Sequence, residues 1–272
     1  IADDTVLANA NADTLREFMA ANYVGQRMVL SASGVNHSDF VGYAEEFLGG
    51  VPAGGAATRA ASAYTGGVAT VAGGKQDFVH VSLGFKAPGW KDDDFVATNV
   101  LQYIMGGGSS FSVGGPGKGM YSRLFQNVLN RHYWVNSAQA FTSFFEDTGV
   151  FGVSGSTTPR SGTKPLVEVM CGELGAMGKN LSDAEVNRAK NQLKLALYTN
   201  VEDRTMAVDD MARQALVYGK YTPAAEICAK IDAVTTAQLS AVAQQIISSE
   251  PTLTLYGDST GMPSMEFVKS KF

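Results

Sequence analysis

The chain has 272 residues, of which 45% are hydrophobic and 17% charged, with a net charge of −5. That is enough apolar material for one large domain or two smaller ones. The acidic balance argues against a nucleic-acid binder, which would show a basic stripe. No apolar run reaches the ~18 residues of a membrane span, so no direct membrane span is expected. Cys171 and Cys228 lack metal or redox spacing and read as reduced core residues. The acidic start, Ile1-Ala2-Asp3-Asp4, does not read as a targeting leader, which is expected to be already removed or encoded elsewhere.

In chain order, residues 11–24 read as a helix on the spacing of Leu15, Phe18, Met19 and Tyr23. Residues 27–33 read as a buried strand stopped by Gly34. Residues 38–48 form a second helix with Ser38 as N-cap, ended by Gly49-Gly50. The Gly/Ala-rich stretch 49–63 is a linker or domain boundary. Two strands follow, at 64–72 and 76–87, expected to form a hairpin or to lie side by side. In the second, Val79, Val81, Leu83 and Phe85 alternate with His80, Ser82 and Gly84, which places His80 on the outward face.

Residues 92–105 and 121–130 read as helices, and 133–145 and 149–157 as strands. Residues 159–179 contain a helix, and Ser182 with Glu185 forms a capping box that opens a long one to about 203. Further helices start near Thr205, at Thr222-Pro223 and at Thr235, before a closing strand at 252–256 and a patternless tail from 261. Mixed strands and helices in this order imply an α+β fold, not a doubly wound βαβ series.

A helix opening on Leu15 and running through an apolar strand to Gly34 resembles the Leu239-to-Gly257 unit. We read this as two tandem domains of one fold. Residues 1–63 are the C-terminal remnant of the first domain plus linker, 64–258 a complete second domain, and 259–272 a tail. The remnant is too small to fold alone. A separate polypeptide is expected to supply the rest of the first domain.

Between helices 92–105 and 121–130 lies MGGGSSFSVGGPGKGM, in which seven of the fourteen residues from 106 to 119 are glycine. Connections usually run ~4–6 residues, and ordering glycine is costly. As a phosphate loop the stretch fails, because Gly117-Lys118 is followed by Gly119 and the whole follows a helix. G-x-G-x-x-G also fails, since Phe111 stands where the last glycine belongs. His37, His80 and His132 lack metal-ligand spacing, and Gly152-Val153-Ser154-Gly155-Ser156 is not a nucleophile elbow. Two readings of the stretch stay open: a slack surface connection, or a flap tipped by Phe111 and Val113.

The run GGGSSFSVGGPGKGMYSRLFQNVLNRHYWVNSAQAF resembles the glycine-rich loop and following helix of α-type subunits in the mitochondrial processing peptidase family, a branch of the pitrilysin-type metallopeptidases. Residues 23–47 and 200–221 support the resemblance, which extends to about residue 258. It implies two homologous α+β domains, with a mixed sheet and helices packed on it, and no catalytic residue or cofactor in this chain. Zinc is expected in a catalytic β partner. It further implies that Gly106, Gly107, Gly108, Ser109, Ser110, Phe111, Ser112, Val113, Gly114, Gly115, Pro116, Gly117, Lys118 and Gly119 contact presequence peptides. The setting would be the mitochondrial matrix, or the matrix side of the inner membrane. A second role is implied beside it: a structural core subunit of ubiquinol–cytochrome c reductase, with other complex III subunits as partners.

Overall fold

The computed structural model describes residues 3–55, 59–73, 77–109, 120–159 and 161–272. They form two compact units, Ile1–Ala61 with Asn200–Thr222, and Ser62–Thr199 with Pro223–Phe272.

The second unit carries a six-stranded sheet. Its strands are β1 (Gly67–Val71), β2 (Val79–Ala87), β3 (Gly107–Ser109), β4 (Val135–Phe144), β5 (Gly149–Thr157) and β6 (Thr252–Tyr256), in the order β1-β6-β2-β5-β4-β3. β1 and β6 are parallel, and the other pairs are antiparallel. The helices of the first unit are α1 (Asp4–Asn9), α2 (Ala12–Asn22), α3 (His37–Leu48) and α7 (Arg204–Tyr218). Those of the sheet-bearing unit are α4 (Phe95–Met105), α5 (Thr163–Ala176), α8 (Ala224–Ala233), α9 (Thr236–Ile247) and α10 (Met265–Lys269). The long helix α6 runs Asp183–Glu202.

The alternation along β2 decides which face is buried. Val79, Val81, Leu83 and Phe85 join Phe151 and Val153 of β5 and Leu253 and Leu255 of β6 in one cluster. Onto it pack Val100, Leu101 and Ile104 of α4, Leu166, Met170 and Leu174 of α5, and Leu239, Val242 and Ile246 of α9. His80 is exposed on the opposite side, as the alternation requires. Helices packed on a mixed sheet are the α+β architecture expected.

Four expectations need correction. β1 and β2 do not pair, because β6 lies between them, matching Gly67 to Thr252 on one side and Leu83 to Leu253 on the other. Residues 27–33 form no strand. Met28 has extended backbone (φ −114°, ψ 141°), but no ladder partner is present among the described residues. A strand exists only through such pairing. Ser31 instead donates its hydroxyl to the Val208 carbonyl at 2.8 Å. Asn36, not Ser38, caps α3, with its Oδ1 accepting from the amides of Ser38 and Asp39. The tail is not patternless: Ser264 caps α10, Val268 is buried, and the Phe272 ring meets Phe85 edge-on at 4.9 Å.

The first unit buries little. Val24 is its one buried apolar residue among those described, whereas Leu15, Phe18, Met19, Leu30 and Phe47 stand more than half exposed. Its order comes from polar contacts: Gly25 and Gln26 donate backbone hydrogen bonds to Pro52 and Ala53 at 2.8 and 3.0 Å.

Candidate functional site

Of the predicted site residues, Gly106, Gly107, Gly108 and Ser109 are described; Ser110, Phe111, Ser112, Val113, Gly114, Gly115, Pro116, Gly117, Lys118 and Gly119 lie outside the described residues. At the entry, Gly106–Ser109 are described, and they meet Ser122, which follows the segment.

At the entry, α4 ends with the Gly106 amide bonded to the Gln102 carbonyl at 2.7 Å. Gly106 then turns the chain with φ of 54°. A Cβ there would lie 2.3 Å from the Ser122 Cβ, so only glycine fits. Gly107–Ser109 does not stay a loop. It adds to the sheet edge as β3, opposite Ser137–Gln139 of β4. Gly107 has φ of 99°, and a Cβ on it would stand 2.0 Å from the Ala138 carbonyl oxygen. At the exit, the buried Ser122 accepts the Gly107 amide on Oγ at 3.0 Å. One serine therefore ties the two feet of the segment together.

Beyond Ser122 the chain enters a π-helix, Leu124–Leu129, with the Asn130 amide reaching back five residues to the Phe125 carbonyl at 2.9 Å. Leu124, Phe125, Val128 and Leu129 are buried beneath it. Arg123 sits at its head and spends its guanidinium on three partners. Nε and Nη2 clasp the Glu185 carboxylate at 2.6 and 3.0 Å, Nη1 donates to Ala176 O at 2.7 Å, and Nη2 donates to Lys179 O at 3.0 Å. The two side chains are 12% and 16% exposed, so this is a largely buried bidentate pair. Removing one member of such a pair typically costs ~3–5 kcal/mol.

Glu185 was expected to complete a capping box with Ser182. Half of that box forms: the Glu185 amide donates to Ser182 Oγ at 3.2 Å. The carboxylate goes to Arg123 instead, because a charge-assisted bidentate contact outweighs a single bond to an exposed amide. The pairing spans 62 residues, so nothing local in the sequence signals it. Tyr121 is exposed, with the Arg188 guanidinium 5.5 Å from its ring centre. Tyr121, Arg123, Lys179, Asn180, Glu185 and Arg188 line part of an open cavity of about 420 Å³.

Among the described residues, no group of three or more His, Cys, Asp or Glu side chains converges as a candidate metal site. Burial pushes the Cys171 thiol up to about 12, which leaves it protonated and unreactive near neutral pH. Asp92 accepts from the Gly89 amide and Asp94 from Gln238 Nε2, so these two carboxylates serve the fold. No helix among the described residues is long and apolar enough to cross a membrane.

With this geometry in place, comparison with known proteins identifies the class. The family described as "Peptidase M16 inactive domain" matches residues 9–193, and the chain belongs to that family. Its relatives narrow the class further. Mitochondrial-processing peptidase subunit alpha of Solanum tuberosum is 38% identical across 100% of this chain and 54% of its own length. The human protein of the same name is 34% identical, covering 97% of this chain and 53% of the relative. A chain in the solved structure of "Complex III2 from Candida albicans, Inz-5 bound" superimposes with a TM-score of 0.88 over 98% of this chain and 64% of that one. At 19% identity, that likeness speaks to the fold alone. The chain spans about half the length of the curated relatives it matches.

Proposed function

We propose that this chain belongs to a non-catalytic, α-type subunit of a mitochondrial presequence-processing peptidase. The glycine segment meets the presequence while a zinc-bearing β partner cleaves it. The observation that carries this reading is the anchorage of Gly106–Ser109, at the entry of the segment, to the sheet edge and to Ser122. Slack connections need no tied foot, and here Gly106 and Gly107 are held against Ser122 at the sheet edge. The names of the relatives at 34–38% identity support the same role. Presequences are basic and amphipathic, so Phe111 and Val113 are assigned to their apolar face. The location that follows is the mitochondrial matrix or the matrix side of the inner membrane.

Deleting residues 106–119 tests this. Presequence affinity and cleavage by the assembled peptidase are expected to drop at least tenfold. Unchanged values would sink the recognition role. They would favour the second reading, a structural core subunit of ubiquinol–cytochrome c reductase among other complex III subunits, which the Candida albicans likeness motivates. Co-purification with cytochromes, against co-purification with a zinc-binding partner, separates the two.

The tandem-domain reading belongs here too: 1–63 as the end of a first domain, 64–258 as the second. The exposed Leu15, Phe18, Met19 and Leu30 support a further polypeptide seated on the first unit. Gentle purification is expected to retain that fragment. Cooperative unfolding of residues 1–61 without any bound fragment would refute it.

A further inference from the structure

We propose that the open cavity of about 420 Å³ between the α5–α6 turn and the head of the π-helix binds a phosphate group, free or as a monoester. Lys179 and Arg188 are its anion-binding side chains.

The charge around the cavity is the first ground. Among the described residues that line it, Arg123, Lys179 and Arg188 face one carboxylate, Glu185, a balance of +2 in a chain whose net charge is −5. Arg123 and Glu185 neutralise each other through two hydrogen bonds. Lys179 and Arg188 carry what remains. Neither side chain meets a carboxylate or other hydrogen-bond acceptor among the described residues, whereas Lys91, Lys194 and Lys269 each hold a carboxylate. The Tyr121 ring, 5.5 Å from the Arg188 guanidinium, steadies it at the cavity wall and leaves its charge uncancelled. Two like charges lining one cavity repel, and an anion bound there offsets the repulsion.

The neutral lining suits the same ligand. Ser182 Oγ accepts the Glu185 amide at 3.2 Å, so its own O–H stays free to donate. Gln126 and Asn180 add exposed amide donors. Ser182 stands just before the 20-residue α6, whose first-turn amides and dipole favour negative charge at that end. Ala176 and the Tyr121 ring are the apolar part of the lining, too little to hold an apolar ligand.

The charge balance selects phosphate over carboxylate. A carboxylate brings one negative charge, whereas a phosphate monoester brings close to two near pH 7. Arginine grips phosphate oxygens with paired N–H donors, and lysine adds a point charge. The cavity lies within the ~300–1,000 Å³ of small-molecule sites, so the phosphate can carry an organic group.

The experiment titrates the full chain with inorganic phosphate by calorimetry near pH 7. A Kd of about 1 mM or tighter is expected. The double variant Lys179→Gln with Arg188→Gln is expected to bind at least tenfold more weakly. Lys91→Gln with Lys194→Gln removes the same charge from paired lysines outside the cavity, and is expected to bind as the wild type does. Acetate, with one charge, is expected to bind at least tenfold more weakly than phosphate. Lys179 and Arg188 are exposed, so their loss leaves the core intact; should the double variant fail to fold, Arg188→Gln decides alone. Flotation with phosphatidic acid vesicles separates the sources of the phosphate. Vesicle binding that the cavity variant loses supports the site with a lipid headgroup as its ligand, and phosphate binding without vesicle binding supports it with a soluble one. No phosphate binding at millimolar concentration, or equal binding by the cavity variant and the paired-lysine control, overturns the proposal.

Discussion

Gly107→Ala is the sharpest test of how the glycine segment is anchored. Its backbone sits at φ of 99°, which an L side chain adopts at a cost of ~1–3 kcal/mol. The new Cβ would stand 2.0 Å from Ala138 O and 2.9 Å from Gln139 Cα, both backbone atoms of a central pairing that cannot yield. The three-residue edge strand β3 must move instead. Moving it breaks the Gly107-to-Ser122 bond at 3.0 Å and strains the Ala140-to-Gly106 bond at 2.8 Å. Each is worth about 1 kcal/mol net. Release of β3 caps the damage, so the expected loss is about 2–3 kcal/mol, or ~5–10 °C in Tm for a unit of this size. Gly172→Ala is the matched control. It lies within α5 with nothing within 4 Å of its added Cβ, and it is expected to stabilise by ~0.5–1 kcal/mol. Thermal melts of both variants, with hydrogen exchange at the Gly107 and Ala140 amides, decide the matter. Wild-type Tm and unchanged exchange in Gly107→Ala would refute the anchoring argument.

Two further outcomes follow from the core. Cys171, raised by burial to about 12 from an ordinary 9.0, is expected to stay unlabelled by a thiol reagent at pH 8 in a Cys228→Ser background and to react only on unfolding. Because the folded value lies above the unfolded one, this thiol's contribution to stability is full below about pH 9 and is lost as pH climbs towards about 12, so a denaturation midpoint that does not fall over that window contradicts it. Removing residues 264–272 uncovers Phe85 and deletes the buried Val268, at ~2–5 kcal/mol. Increased binding of a hydrophobic dye and a lower denaturation midpoint are expected, and an unchanged midpoint would show that α10 is incidental.

Periodicity revealed what periodicity controls. β2 was legible because inward and outward residues alternate, α4 because its apolar face recurs each turn, and α9 because Thr235 marks its N-cap. The place of β6 was not. It enters between β1 and β2 from about 170 residues away, pairing Ser82 with Thr254, and no local pattern encodes a partner at that distance. The tail escaped notice for the opposite reason: Val268 and Phe272 are two contacts in five residues, too few to show a period. Residues 27–33 misled because an apolar run states a preference for burial and says nothing of who will pair with it.

The glycine segment shows the same division within one site. Glycine density marked where the chain must be special. It did not show that Gly107–Ser109 would become an edge strand, since glycine is a poor strand former and the strand is imposed by Ser137, Ala138 and Gln139 opposite. Leu124, Phe125, Val128 and Leu129 suggested an α-helix, yet an i, i+1, i+4, i+5 pattern fits a π-helix equally well. The choice falls to contacts the pattern omits. Arg123, at the head of the helix, is fixed to Glu185, Ala176 and Lys179. Two side chains at successive positions then do what no local pattern announces: Ser122 closes on Gly107, and Arg123 reaches Glu185 and the α5–α6 turn.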